Sequence, residues 1–299
     1  MTMITTTMIP CGAKLPIIAL IGSYISGIWW VAPTMYFTAI GLVIVYCIIL
    51  KKMRAFSDKP VPFVMELPAY HLPTVKGLLL HMWERVWAFI KKAGTILFVC
   101  CVVMWFLASF GFENGAFGLI EDTENSLLAG IGKGLLFIFA PIGFTWQTVA
   151  STLSGFVAKE GLVSTMGVLA GLEEADEYVG SEIGVFSAFF ASNLAAMAYL
   201  MFNLFDSPCL AAISTLAKEM GSRKYFWGAL IFQNVSAYCV ALIFYRIGGL
   251  VTGDVGFSFA TAVAIAVLIA VIYLMVRPDY ATREAKKLAR SGASGSVAQ

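Results

Sequence analysis

Pro10-Cys11 and Pro208-Cys209 each open a run of small and apolar residues, Gly12-Ala13-Lys14-Leu15 in one case and Leu210-Ala211-Ala212-Ile213 in the other. Proline suits a helix start, where its missing N–H costs nothing. A cysteine just after it falls in the first turn, where the helix dipole favours thiolate, and thiolate is a ligand for borderline and soft metals. Two such half-sites in one bundle could line a metal path; the plainer reading is that both thiols only pack. The third feature is Lys159-Glu160, inside Gly155-Phe156-Val157-Ala158-Lys159-Glu160-Gly161, a charged pair in the middle of an apolar stretch. Ionisable residues at membrane depth are costly and mark functional positions. A transport or gating role competes here with a packing role in which both side chains pair with other helices.

Asn193, Asn203, Gln233 and Asn234 are polar groups within or near apolar segments, suited to interhelical hydrogen bonds or to lining a hydrated path. Met104, Met166, Met197 and Met201 read as gap-fillers. Gly130/Gly134 and Gly167/Gly171 match small-xxx-small spacing, a packing device. Cys47, Cys100, Cys101 and Cys239 lie in apolar runs as small hydrophobes, so no disulfide framework is expected. His71 and His81 stand without a ligand cluster. The only Gly-Lys is Gly132-Lys133, followed by Gly134, so the chain has neither a phosphate-binding loop nor a G-x-G-x-x-G fingerprint. No Ser/His/Asp set or H-E-x-x-H points to hydrolysis, and no nucleic-acid partner is expected from a net charge of +2.

These residues must be positioned by membrane helices. Hydrophobic residues make up 60% of the 299-residue chain and charged residues 13%, more apolar surface than one soluble core can hide. Eight candidate membrane segments follow: Leu15–Trp30, Pro33–Leu50, Ala93–Gly111, Leu127–Phe144, Gln147–Ala170, Ile183–Phe205, Tyr225–Ile247 and Gly256–Val276. The first and fourth are short enough to be half-helices or re-entrant pieces, permitted where protein or a water-filled cavity covers the backbone. The expected fold is an all-α polytopic bundle. Lys and Arg concentrate in residues 51–92, 218–224 and the tail, whereas the connections carrying Glu113–Glu124 and Glu173–Glu182 contain none. Eight spans with both termini cytoplasmic put every basic segment inside, Arg246 excepted. No cleavable signal peptide is read at Met1–Thr7.

Residues 51–92 are expected not to span. Pro60, Pro62, Pro68 and Pro73 break any helix before Thr74. Beyond it Val75, Leu78, Leu79, Met82, Val86, Phe89 and Ile90 fall on one face, with Trp83 and Trp87 suited to headgroup depth. The organisation reads as residues 1–50, two membrane segments; 51–92, a cytoplasmic segment with an interfacial helix; 93–248, the larger membrane region; 249–277, a last span; and 278–299, a disordered cytoplasmic tail.

Taken in order, several motifs resemble the bacterial ferrous iron transport protein B family. Pro10-Cys11-Gly12-Ala13-Lys14-Leu15-Pro16 resembles its first gate region. Pro62–Pro68, Leu72-Pro73 and His81-Met82-Trp83-Glu84-Arg85 resemble its cytoplasmic segment, which Lys91-Lys92-Ala93-Gly94-Thr95-Ile96 continues. Gly155–Glu160 ahead of Val163-Ser164-Thr165 resembles its second gate region, and Pro208-Cys209 with Lys218–Ser222 the stretch beyond. The run covers about residues 8 to 248. The resemblance implies a bacterial cytoplasmic-membrane Fe(II) transporter, not an enzyme, with Cys11 and Cys209 at the iron-contacting positions and Glu160 at the acidic position of the second gate. Family members begin with a GTP-binding domain, a helical regulatory segment and the opening of the first gate. This sequence starts within the first gate, so the implied partner is a GTP-binding domain supplied in trans, and GTP binding is not carried over.

The expected function is Fe(II) uptake. Iron passes Cys11 and Cys209, Glu160 compensates charge, Lys159 is a mobile counter-charge, and Asn193, Asn203 and Gln233 are candidates to line the path. Fe(II) is expected as substrate and no cofactor as permanently bound; the lipid bilayer and a homo-oligomer are the other expected partners. A gate-type transporter of nucleosides or of another divalent metal stands as an alternative, as does a non-transporting membrane scaffold.

Overall fold

The computed structural model describes residues 2–25, 30–53, 74–113, 116–120, 123–170 and 189–277. The second acidic connection, the start of the segment expected from Ile183, the proline-rich stretch and the tail lie outside the described residues, wholly or in part. The elements are α1 (Thr2–Thr6), a 3₁₀ turn (Gly12–Lys14) leading into α2 (Leu15–Tyr24), α3 (Val31–Lys51), α4 (Val75–Ser109), a hairpin of β1 (Phe110–Glu113) and β2 (Ala116–Leu119), then α5 (Leu127–Phe139), α6 (Trp146–Val157), α7 (Gly161–Leu169), α8 (Asn193–Phe205), α9 (Leu210–Glu219), α10 (Arg223–Thr252) and α11 (Phe259–Val276). The architecture is an all-helical membrane bundle. Among the described residues, the small antiparallel hairpin, with Phe110 opposite Leu119, is the departure from pure helix.

Four stretches among the described residues are long and apolar enough to cross a membrane: Val31–Lys51, Asn193–Glu219, Arg223–Thr252 and Phe259–Val276. A fifth arises if Leu127–Ile142 and Trp146–Val157, bent by 102° from each other, count as one broken span. The segments expected at Leu127–Phe144 and Gln147–Ala170 therefore do not form two straight spans. Pro141 and Gly143 make the first corner. Gly143 has φ +82°, and a Cβ there would meet the Tyr245 ring at 2.5 Å. The second segment is interrupted at Ala158-Lys159-Glu160, between α6 and α7.

Val75–Ser109 is one helix of 35 residues, about 52 Å long, and runs unbroken through the boundary expected at residue 92. The segment expected as an interfacial helix and the one expected from Ala93 thus share one continuous helix.

The core centres on α8. Ten of its 13 residues are buried, from Ala195 to Phe205, which is what a helix apolar on all sides requires. It packs against α10, α2 and α6, with Ile17, Ile21, Met35, Leu162, Met166 and Phe202 in one cluster around it. The outer faces stay apolar and open: Phe37, Phe98, Phe137, Ile231 and Ile269 are all exposed, the surface that hydrocarbon covers. The close approach of α5 to α6 is made at Gly132, where a Cβ would stand 2.8 Å from the Trp146 carbonyl oxygen; at Gly130 and Gly134 a Cβ would meet nothing. Arg246, the exception to the charge rule, is absorbed locally. Its Nε donates to the Pro141 carbonyl at 2.7 Å, a guanidinium N–H donates to Ser258 Oγ at 3.2 Å, and the guanidinium stands over the Tyr245 ring.

Candidate functional site

Three helix interruptions meet at one charged centre. The first is the turn between α6 and α7. Gly155 and Gly161 let the two short helices fold back on each other: a Cβ on Gly155 would lie 2.6 Å from the Leu162 side chain, and one on Gly161 2.8 Å from Ser154 Oγ. Ser154 Oγ donates to the Gly161 carbonyl at 3.3 Å, replacing part of the broken ladder. Lys159 sits in this turn, 2% exposed. The second interruption is Asp206-Ser207-Pro208-Cys209, between α8 and α9, where Pro208 cannot continue a helix; Asp206 is 1% exposed. The third is the start of the chain's first apolar helix, where Lys14 ends the 3₁₀ turn before α2 and is 2% exposed.

The side chains converge. Lys159 Nζ donates to Oδ1 and Oδ2 of Asp206, each at 2.6 Å, and stands 5.2 Å from the centre of the Phe156 ring. Lys14 Nζ donates to the Leu204 carbonyl at 2.5 Å. That carbonyl belongs to the last turn of α8, which has no intrahelical donor to offer it, and a cation there also suits the helix dipole. Cys11 caps the 3₁₀ turn that ends at Lys14, and Cys209 stands three residues after Asp206, so each Pro-Cys turn carries a member of the centre. Burying one carboxylate and two ammoniums is costly unless they pair and hydrogen-bond, and the contacts meet that demand.

A polar seam runs from this centre between α6 and α8. Tyr199, Asn203 and Asp206 are spaced i, i+4, i+7 along α8 and its end, and Thr148, Ser151 and Thr152 face them from α6. Ser151 Oγ and the Tyr199 hydroxyl are 2.6 Å apart. Asn203 Nδ2 donates to the Tyr199 carbonyl at 3.0 Å and to Thr152 Oγ1 at 3.4 Å, while the buried Asn203 Oδ1 has no partner among the described residues.

The expected residues divide unevenly. Cys11 is exposed and Cys209 half-buried; each occupies the N-cap position of its helix with extended backbone rather than the first turn itself. Lys159 is at the centre. Glu160 is exposed as the N-cap of α7 and makes no capping bond, because successive residues of the tight turn point apart; the buried acid is Asp206. Asn193 is exposed at the first position of α8. Gln233 is buried elsewhere, donating from Nε2 to the Ile4 carbonyl at 3.1 Å and to Thr7 Oγ1, so it ties α10 to α1. Asn234 donates back to the Leu230 carbonyl within α10. Asp206 and Lys14 were not singled out by sequence; Asp206 lies one residue beyond the expected end of its span. No three His, Cys, Asp or Glu side chains form a metal-holding set among the described residues.

Broken helices packed around a buried charged centre, in a bundle with an apolar exterior, define a polytopic helical integral membrane protein. A family model described as "Ferrous iron transport protein B C terminus" matches residues 32–85, and one described as "Nucleoside recognition", the Gate model, matches residues 90–223. The chain belongs to the ferrous iron transport protein B family, matching its C-terminal membrane part. It is 32% identical over 259 residues to the Fe(2+) transporter FeoB of Methanocaldococcus jannaschii, a match covering 84% of this chain and 37% of that protein. It is 31% identical over 261 residues to the Fe(2+) transporter FeoB of Campylobacter jejuni, covering 81% and 41%. A fusion of Fe(2+) transport protein A with Fe(2+) transporter FeoB from Porphyromonas gingivalis is 29% identical over 288 residues, covering 83% and 34%. The chain thus spans about two fifths or less of these relatives' lengths. No solved structure matches it.

Proposed function

We propose that this chain forms the membrane path for Fe(II) uptake, with the ion passing the two Pro-Cys turns and the charged centre between them. The observation that carries the reading is that the turn capped by Cys11 is bonded through Lys14 to the Leu204 carbonyl, next to the buried Lys159–Asp206 pair and the turn that holds Cys209. Transporters place ion sites where helices are interrupted, because unwound backbone and half-helix ends supply polar groups at membrane depth. Thiol sulfur suits a borderline metal such as Fe(II), and binding along a path must stay weak enough for release. The relatives' names, Fe(2+) transporter, support the substrate. The concentration of Lys and Arg in residues 51–92, 218–224 and the tail supports a cytoplasmic membrane location with both termini inside. A GTP-binding domain is the partner that the family implies. Glu160, outside the centre, is assigned to charge at the mouth of the path.

The test is Fe(II) entry into liposomes holding the purified chain, alone and with a GTP-binding domain from a relative. Uptake that falls in Cys11→Ser and Cys209→Ser supports the path; uptake indifferent to both removes it. The match to the model described as nucleoside recognition carries a second reading, an organic solute, and competition by nucleosides but not by Mn(II) would favour that one.

A further inference from the structure

Lys159 does more than neutralise Asp206. Its ammonium straddles the carboxylate, at 2.6 Å from both oxygens. That is the position a divalent cation takes when a carboxylate binds it through both oxygens. While Lys159 is there, Asp206 offers a cation nothing. The centre then carries two ammoniums against one carboxylate, and it repels any cation that reaches it.

The two lysines are not equally held. Lys14 is fixed on the Leu204 carbonyl, and α2 begins at the next residue. Lys159 lies in the non-helical turn between two short helices, and the Phe156 ring, 5.2 Å from its Nζ, offers the ammonium a second partner. One turn before Asp206, the buried Asn203 Oδ1 is an acceptor without a donor among the described residues, its own amide N–H groups being committed to Tyr199 and Thr152.

We propose that Asp206 is an exchange site. A divalent cation takes the carboxylate oxygens from Lys159, gains Asn203 Oδ1 as a further oxygen ligand, and displaces the ammonium towards Phe156; return of Lys159 expels the cation. The step is an ion exchange at one carboxylate, with no bond broken and no proton moved. It rests on the ion path proposed above and assigns its gate.

The experiment uses the full chain in nanodiscs with Mn(II) as probe, free Mn(II) being read by electron paramagnetic resonance. Lys159→Met removes the competitor and lowers the Mn(II) dissociation constant at least tenfold relative to wild type. Lys159→Met with Asp206→Asn returns binding to the wild-type level or weaker. Should Lys159→Met not fold, Lys159→Arg replaces it. A guanidinium holds a carboxylate through two parallel bonds, so this variant binds Mn(II) at least tenfold more weakly than wild type. Mn(II) affinity unchanged in both Lys159 variants, or indifferent to Asp206→Asn in the Lys159→Met background, overturns the exchange. Liposome uptake separates it from the parent reading. Fe(II) uptake at the wild-type rate by Lys159→Met/Asp206→Asn overturns the exchange and leaves the path standing. Tightened Mn(II) binding by Lys159→Met in a chain that moves no Fe(II) removes the path and leaves the exchange.

Discussion

Lys159 Nζ stands 2.6 Å from each carboxylate oxygen of Asp206, and the two residues lie in the breaks of two different helices, 47 positions apart in sequence. The pair ties the α6–α7 turn to the α8–α9 turn, and Lys14 ties the start of α2 to the same centre through the Leu204 carbonyl. In hydrocarbon an interrupted helix leaves backbone groups that water cannot reach. Placing three interruptions together lets side chains and backbone from one satisfy another. The charged centre is thus a consequence of the breaks as much as a site, and its pieces are expected to respond differently to substitution.

Removing one member of the pair is expected to cost stability. Lys159→Met leaves the Asp206 carboxylate buried with only the more distant Lys14, a loss of about 3–5 kcal/mol by the behaviour of buried ion pairs. Lys159→Met with Asp206→Leu replaces both charges by apolar groups of similar size, and recovers most of the loss. Thermal unfolding of the detergent-solubilised chain measures both. A double variant no more stable than Lys159→Met alone would show that the pair is not the interaction being lost.

The two Pro-Cys thiols are expected to matter for the ion while the other thiols do not. Cys11→Ser and Cys209→Ser each replace a soft ligand by a hard one and are expected to lower Fe(II) uptake at least about tenfold, the effect of about 1.4 kcal/mol of lost ion stabilisation. Cys239→Ser, in the middle of α10 rather than at a helix start, is expected to leave uptake within about twofold. Liposome uptake with equal protein loading checks all three. Equal loss in Cys239→Ser would point to damage of the bundle rather than of the path.

How far the centre could be read from sequence follows from which signals are local. Lys159 was legible, since a charge inside an apolar run admits few explanations. The break at Pro208 was legible from the proline itself. Asp206 was not, because it follows Phe205, the expected end of a span, where an acid is unremarkable. Its pairing depends on a turn 47 residues earlier. The interruption after Val157 was hidden by Ala158, Lys159 and Glu160, all good helix formers; only the flanking Gly155 and Gly161 hinted at it. Glu160 was placed on the path by the resemblance to the family's second gate and by its position in the apolar run, but a tight turn sends its side chain apart from that of Lys159. Likewise the eight segments were counted by apolar length, which cannot distinguish a straight span from two half-helices meeting at 102°.

Those flanking glycines give a third prediction. A Cβ on Gly155 would lie 2.6 Å from both Leu162 Cγ and Cδ2, and one on Gly161 2.8 Å from Ser154 Oγ. Gly155→Val is expected to force α6 and α7 apart, at a cost of about 1–3 kcal/mol for overpacking, and to displace Lys159 from Asp206. Gly130→Ala, where a Cβ would meet nothing within 4 Å, is the matched control and is expected to be neutral or slightly stabilising by helix propensity. Thermal unfolding separates the two variants, and a neutral Gly155→Val would mean that α6 and α7 are not packed as closely as described.

Lys14 gives the fourth. Its ammonium donates to the Leu204 carbonyl at 2.5 Å in the last turn of α8, two residues before Asp206, and its own turn is the one that Cys11 caps. Lys14→Met keeps the length and apolar stem but removes the donor, leaving that buried carbonyl unsatisfied, a cost of about 1–3 kcal/mol. It also removes one positive charge bordering the path. Stability and uptake are therefore expected to move in opposite senses: a lower unfolding temperature, but weaker repulsion of an entering cation and a lower Fe(II) concentration at half-maximal uptake. A structural role alone would lower the unfolding temperature without shifting that concentration. Lys14→Arg, which keeps both donor and charge, is expected to restore the wild-type concentration dependence. If Lys14→Met and Lys14→Arg give the same dependence as wild type, the charge of Lys14 has no part in admitting the ion.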